Sequence, residues 1–403
     1  MKKIIKNEFQ KFFKSRKNII ILILFLAYVF GINFYNLKQY NSYMKETAET
    51  YRSKYMQADG ILSQNALRLE KDEDLTDEDK EELEKDIEFY NVERNKLMLI
   101  AQTYKEDKED KYNYALIAEN DRYKNIIRGI ENGVIEKGFL EEKVLDMEEI
   151  HKKMYINQYI LDNDIQPILN PYTMTGANSL IMFLNGNNLL ILIFFIALLS
   201  VDIYLSEVEE GSYKLAYSQP FERKEIFLGK VIVITIVSLA IIALGALLNF
   251  IIISTIYEIG DMNYPFVTRE NIKDLFFGGN DIGYSILPLW KFVLMGFVLL
   301  LPILLLTIAL IMCISIFLDS GTKTLGFSIM LLVLAFIFNN FISKKSIVNL
   351  IYPYCYLFIK NVIEVNTRSS YLFGILLNIS ITILLFIMSY RKFIHKDFLG
   401  ARE

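Results

Sequence analysis

Six stretches of about 20 or more residues contain no Asp, Glu, Lys or Arg: Asn18–Leu37, Ile165–Val201, Val231–Tyr257, Phe292–Leu318, Thr324–Ser343 and Ser369–Tyr390. Each is long enough to cross about 30 Å of hydrocarbon as a helix. Yet 22% of all residues are charged, as in an ordinary soluble protein. Charge and apolar surface are therefore segregated along the chain. This excludes a single aqueous globule, and the 53% hydrophobic content excludes a disordered chain.

The runs predict an all-α polytopic membrane protein with six transmembrane helices. The spans fall at 18–37, 188–205, 231–257, 292–318, 324–343 and 369–390. The second run is too long for one helix and begins with Pro167, Pro171 and Asn185-Gly-Asn-Asn188, so its helix is set at 188–205. Pro302 lies inside the fourth span, where a kink is expected and tolerable. Trp290, the only tryptophan, precedes that span, as suits an interfacial ring.

Orientation follows from Lys and Arg. Residues 1–17 carry seven cations and one acid, Glu8. This predicts a cytoplasmic N-terminus. Six spans return the C-terminal tail, 391–403, to the same side, and its Arg391, Lys392, Lys396 and Arg402 agree. The first span is too long for a cleavable signal peptide, and no small-residue cleavage site follows it.

Residues 38–187 are then extracytoplasmic. The stretch 38–178 has 20 basic and 31 acidic residues, net −11, so the remainder is net +7. The block reads as helical. Leu37, Tyr40, Met44, Ala48, Tyr51, Tyr55, Ala58 and Leu62 share one face of a long helix continuous with the first span. Thr76 followed by Asp77, Glu78 and Asp79 marks a helix start. Leu83, Ile87, Tyr90, Leu97 and Ala101 form the next stripe, interrupted by Arg94. A third helix ends at Asn132-Gly133, and Leu140–Leu161 makes a fourth. No alternating strand pattern persists. The acidic run from Glu70 to Glu82 lacks the spacing of a calcium loop and reads as a solvated face.

Catalytic motifs are missing. The nearest fragments to a phosphate-binding loop, Gly229-Lys230-Val231 and Gly321-Thr-Lys-Thr324, lack its spacing. There is no G-x-S-x-G, H-E-x-x-H or C-x-x-C, and only two histidines, His151 and His395. The chain is not expected to be an enzyme, to hold a cofactor or metal, or to bind nucleic acid. Asp202, the one charge inside a span and close to its end, reads as interfacial or capping rather than ion-coupling.

Between spans two and three, the cytoplasmic loop 206–230 carries charges of both signs, a break at Gly211 and another at Pro220. Glu207, Glu209, Gly211, Ser212, Leu215, Ser218, Pro220, Arg223, Gly229 and Lys230 stand in an ordered set. In this the chain resembles the membrane subunits of ABC-2 type exporters, the type V ABC transporters. Their loop reads E-x-E-x-G-[ST], a Leu, S-x-P-x-x-R, then G-K. The resemblance extends to the other membrane parts. Residues 1–17 look like the family's amphipathic elbow helix, with Ile4, Ile5, Phe9, Phe12 and Phe13 in the headgroup boundary and lysines outward. Segment 344–368, with its apolar Ile347–Ile359, looks like the re-entrant extracellular helices, and 258–291 is an extracytoplasmic loop. Larger family members carry an insert like 38–187.

The resemblance implies a permease subunit of an ATP-driven exporter in a bacterial plasma membrane. It implies two copies of a separate ABC ATPase, which bind ATP and Mg, and a second permease, either identical or a sibling. Glu207, Glu209, Glu210, Gly211, Pro220, Arg223, Lys224 and Lys230 would couple to the ATPase, with Gly211 and Pro220 shaping the loop. An amphipathic or hydrophobic cargo is implied: antimicrobial peptide, drug or lipid. The alternatives are a mechanotransmitter or sensor acting through the external domain, and a sodium extrusion permease.

Overall fold

A computed structural model describes residues 1–134, 147–209, 211, 221–269, 284–318, 320–342, 346–364 and 370–395. Among these, thirteen α-helices follow in chain order: α1 (Lys2–Lys14), α2 (Arg16–Lys71), α3 (Asp77–Glu106), α4 (Tyr112–Glu131), α5 (Met147–Asp162), α6 (Gly176–Phe183), α7 (Gly186–Glu209), α8 (Arg223–Ile256), α9 (Leu289–Leu318), α10 (Gly321–Phe341), α11 (Ile347–Ile351), α12 (Ile359–Ile363) and α13 (Tyr371–His395). Six of them are long and apolar enough to cross a membrane: α2, α7, α8, α9, α10 and α13. The chain is an all-α polytopic membrane protein.

Two compact units divide the chain. The first comprises residues 1–33, 175–260 and 268–403. Its most enclosed spans are α9 and α7, 67% and 61% of whose apolar windows are buried, against 17% for α2 and α10. The first two form the centre of the bundle, while the latter present faces such as Ile19, Ile20, Ile23 and Leu24 that require apolar surroundings. Helices pack closely where side chains vanish: a Cβ on Gly374 of α13 would stand 2.2 Å from the Tyr356 ring. Tyr356 belongs to a 3-10 turn, Pro353–Leu357, between α11 and α12. The apolar stretch after α10 is thus three short pieces broken at Pro353, with Tyr354, Tyr356 and Leu357 buried.

The second charge-free run holds one more helix than expected. Thr175 caps α6, its hydroxyl accepting from Asn178 N. The free N–H groups of Gly176 and Ala177 donate to Glu258 O and Ile259 O at 2.8 and 2.7 Å. Inside one apolar run, this break is invisible to hydropathy. Two short strands, β1 (Pro265–Arg269) and β2 (Tyr284–Pro288), pair into a two-stranded sheet that the sequence reading did not anticipate. Helix α9 runs through Pro302.

The second unit comprises residues 34–174 and 261–267. Helix α2 has 56 residues and no proline, and is about 84 Å long at about 1.5 Å per residue. Its stripe from Met44 through Ala58 is buried or half-buried. Helix α3 opens with a capping box in which the Thr76 hydroxyl accepts from Asp79 N and the Asp79 carboxylate accepts from Thr76 N. Phe89, Tyr123, Ile126 and Ile150 form one core, and Leu116, Ile160 and Ile165 a second. The buried residues of α3 are Leu83, Phe89, Glu93, Leu97, Ile100 and Thr103, with Ile87, Tyr90 and Ala101 of the expected stripe half-buried beside them. Glu93 turns inward to accept from Arg122 Nε at 2.7 Å, both side chains being buried. Arg94 lies at the edge and pairs with Asp59 at 3.4 Å. The fourth helix expected here begins at Met147 in the described residues, and 135–146 lie outside them.

A buried ion ring as candidate functional site

Helix α1 carries Ile4, Glu8 and Phe12 at spacings of four, on one face, and all three are buried. The apolar residues of α1 therefore do not all face lipid, as the elbow reading expected. Ile4 and Phe12 pack on protein, while Phe13 remains 58% exposed. Ile4 fits because Gly229 of α8 has no side chain: a Cβ there would stand 2.7 Å from Ile4 Cγ2.

That approach carries Glu8 to the ends of the 206–230 segment. Lys11 Nζ donates to Glu8 Oε1 at 2.9 Å and to Glu207 Oε1 at 2.6 Å. Lys230 Nζ lies 3.1 Å from Glu207 Oε2 and 3.3 Å from Glu8 Oε2, and donates to Ile203 O at 3.0 Å. Two carboxylates and two ammonium groups thus alternate around a closed ring. Lys230 is 2%, Glu8 6% and Glu207 7% exposed. Such charges are tolerable inside protein only because each meets two of opposite sign. Burial pushes the Glu207 carboxyl up, but Lys230 and Lys11 outweigh it and hold the group below its ordinary range. Burial also pushes the Lys11 ammonium down, and Glu207 and Glu8 outweigh that and raise it.

A second tie lies one turn on. Ser15 Oγ, at the joint between α1 and α2, donates to Asp202 Oδ2 at 3.0 Å, and Lys17 Nζ is 3.8 Å from Asp202 Oδ1. Asp202 of α7 thus ties to the joint between α1 and α2. Two turns earlier on α8, Arg223 Nη1 donates to Ile394 O in the last turn of α13 at 2.7 Å, where a helix end favours a cation. Phe227 packs on Tyr390 and Phe393 at centroid distances of 5.6 and 5.4 Å.

The structure sorts the residues singled out for coupling. Glu207 and Lys230 are brought together and enclosed. Arg223 is half-buried against α13. Lys224 is exposed and pairs with Glu222 at 2.6 Å. Gly211 has φ +70°, the left-handed conformation that glycine adopts without strain, two residues past the last residue of α7. Glu210, Pro220 and the side chain of Glu209 lie outside the described residues. Glu8 and Lys11 were not singled out. Their signal was an acid in the middle of an apolar stripe, at Ile4, Glu8 and Phe12.

These geometries give the G-K pair a physical role. Gly229 admits α1, and Lys230 closes the ring that α1 brings with it. Among the described residues no group of three His, Cys, Asp or Glu could hold a metal ion. The ring fixes both ends of the 206–230 segment to α1.

One family model, described as ABC-2 family transporter protein, matches residues 3–364. No curated protein and no solved structure matches the chain.

Proposed function

The chain belongs to the ABC-2 family of transporter proteins, and from that premise we propose that it is the permease subunit of an ATP-driven exporter. The family makes it a membrane component that works with an ABC ATPase. The finer reading is that two ATPase copies dock on the 206–230 segment from the cytoplasm, and that two permease subunits, identical or siblings, rock between access states. The cargo is an amphipathic or hydrophobic molecule: an antimicrobial peptide, drug or lipid.

The observation that carries this reading is the ion ring. A connector between two spans needs no buried charges at its ends. A segment that receives force does, because motion must pass into helices rather than dissipate in a loop. The ring joins α7, α8 and α1, and Arg223 joins α8 to α13. Docking then falls to the exposed Lys224 and to Glu209 and Glu210, with Gly211 and Pro220 shaping the segment. Glu207, Lys230 and Arg223 transmit within the chain. The seven cations of residues 1–17 support a cytoplasmic placement of this end in a bacterial plasma membrane. The low charge of the spans supports an amphipathic cargo.

The test is ATP-dependent accumulation of a fluorescent amphipathic peptide, drug or lipid in inverted vesicles containing the chain and its ATPase. Accumulation of one of these, lost without ATP, supports export. Accumulation of sodium alone moves the reading to sodium extrusion. ATP hydrolysis with no solute movement moves it to mechanotransmission, for which the unbroken α2, running from Arg16 to Lys71, is the supporting feature.

A further inference from the structure

Turning Glu8 inward removes the only acid from residues 1–17, so every charge that α1 shows outward is basic. Lys2, Lys3, Lys6, Lys14 and Arg16 are exposed, and none has an ion pair among the described residues. Beside them Phe13 is 58% exposed, and the half-buried Phe9 stacks on it at 6.4 Å. Only Ser15 separates α1 from α2, and the exposed apolar residues of α2 begin at Ile19 and Ile20. Lys14 and Arg16 therefore stand within about a turn or two of the hydrocarbon edge, at about 5.4 Å per turn. That is the depth of lipid phosphates.

We propose that the outer face of α1 binds anionic phospholipid headgroups, and that lipid charge thereby helps seat the helix whose inner face completes the ion ring. This rests on the membrane reading and adds to the proposed function a lipid that sets the coupling segment. An acidic surface on a soluble partner would satisfy the cations but leave Phe13 and the adjoining apolar residues of α2 uncovered. A membrane surface covers both. Anionic lipid attracts basic segments within a Debye length, so the attraction must fall with salt.

The chain's single tryptophan permits a direct test. In a Trp290→Phe background, Phe13→Trp places a lone indole on this face of the full chain. Nanodiscs of phosphatidylcholine are doped with brominated phosphatidylglycerol or with brominated phosphatidylcholine at equal mole fraction. The proposal expects about twofold stronger quenching by the brominated anionic lipid, reflecting local enrichment by several cations. The excess disappears at high salt and in the Lys2/Lys3/Lys6/Lys14→Gln variant, and persists in the matching Lys→Arg variant. Equal quenching by the two lipids overturns the proposal. So does an excess that survives the Gln variant, or a Gln variant that loses only ATPase co-purification, which would assign the cations to the partner subunit. No ATPase is needed for the quenching measurement. Failure of the exporter reading alone would leave the lipid preference intact.

Discussion

The Lys230 ammonium lies 3.1 Å from the Glu207 carboxylate, in a site where both side chains are less than 10% exposed. Residues near the two ends of the 206–230 segment are thus joined by an ion pair inside the protein. Glu8 and Lys11 bring α1 into the same ring.

Replacing Lys230 with Met leaves two buried carboxylates, Glu8 and Glu207, sharing one cation, Lys11. Removing one partner of a buried pair costs about 3–5 kcal/mol. The expected outcome is a markedly lower melting temperature for the purified chain, and earlier protease cleavage in α1. Unchanged melting and cleavage would show that the ring contributes nothing to seating α1.

The ring also sets a pH window. The Glu207 carboxyl lies below its ordinary value of 4.5, so its contribution is complete above that pH and lost as pH falls through the lowered value. The Lys11 ammonium lies above its ordinary 10.5, so its contribution is complete below that pH and lost as pH rises through the raised value. A spin-label distance between α1 and α8 is expected to hold steady between these limits and to broaden beyond either one. Broadening near neutral pH would contradict the assignment.

Gly229→Val drives a side chain into Ile4. Overpacking of this kind costs about 1–3 kcal/mol. Because the clash is with one residue, Ile4→Ala is expected to relieve most of it, so the double variant melts above Gly229→Val alone. Strictly additive losses would mean that Gly229 matters for some reason other than admitting α1.

In the second unit, Arg122→Met strands the buried Glu93 carboxylate. The loss is again about 3–5 kcal/mol, read as early hydrogen exchange in α3 and α4. Exchange in α8 and α9 is expected to stay as in the unaltered chain. Matching destabilisation there would mean that the two units melt together.

The six spans were legible because lipid demands long charge-free runs, and that signal does not depend on packing. The capping box at Thr76 was legible because caps are local. Helix α6 was not, since it breaks an apolar run without a charge and its start is satisfied by backbone carbonyls of Glu258 and Ile259. On α3 the apolar stripe was legible but Glu93 was passed over, because an inward acid looks like a surface acid until Arg122 meets it. Glu8 was passed over for the same reason: its partners Lys11 and Lys230 are three and 222 residues away. The ordered set in 206–230 was visible as letters, but the enclosure of Glu207, Arg223 and Lys230 depends on α1 and α13 packing against α8.

The central claim is tested most directly by purifying the tagged chain in mild detergent, with its neighbouring genes expressed, and assaying ATP hydrolysis in the eluate. Lys224→Glu, an exposed change expected to shift stability by no more than about 0.5 kcal/mol, is carried alongside. The account predicts a co-purifying ABC ATPase with the unaltered chain. It also predicts weakened co-purification in Lys224→Glu at an unchanged melting temperature. Recovery of a folded chain with no ATPase, under conditions where that subunit is present, would contradict it.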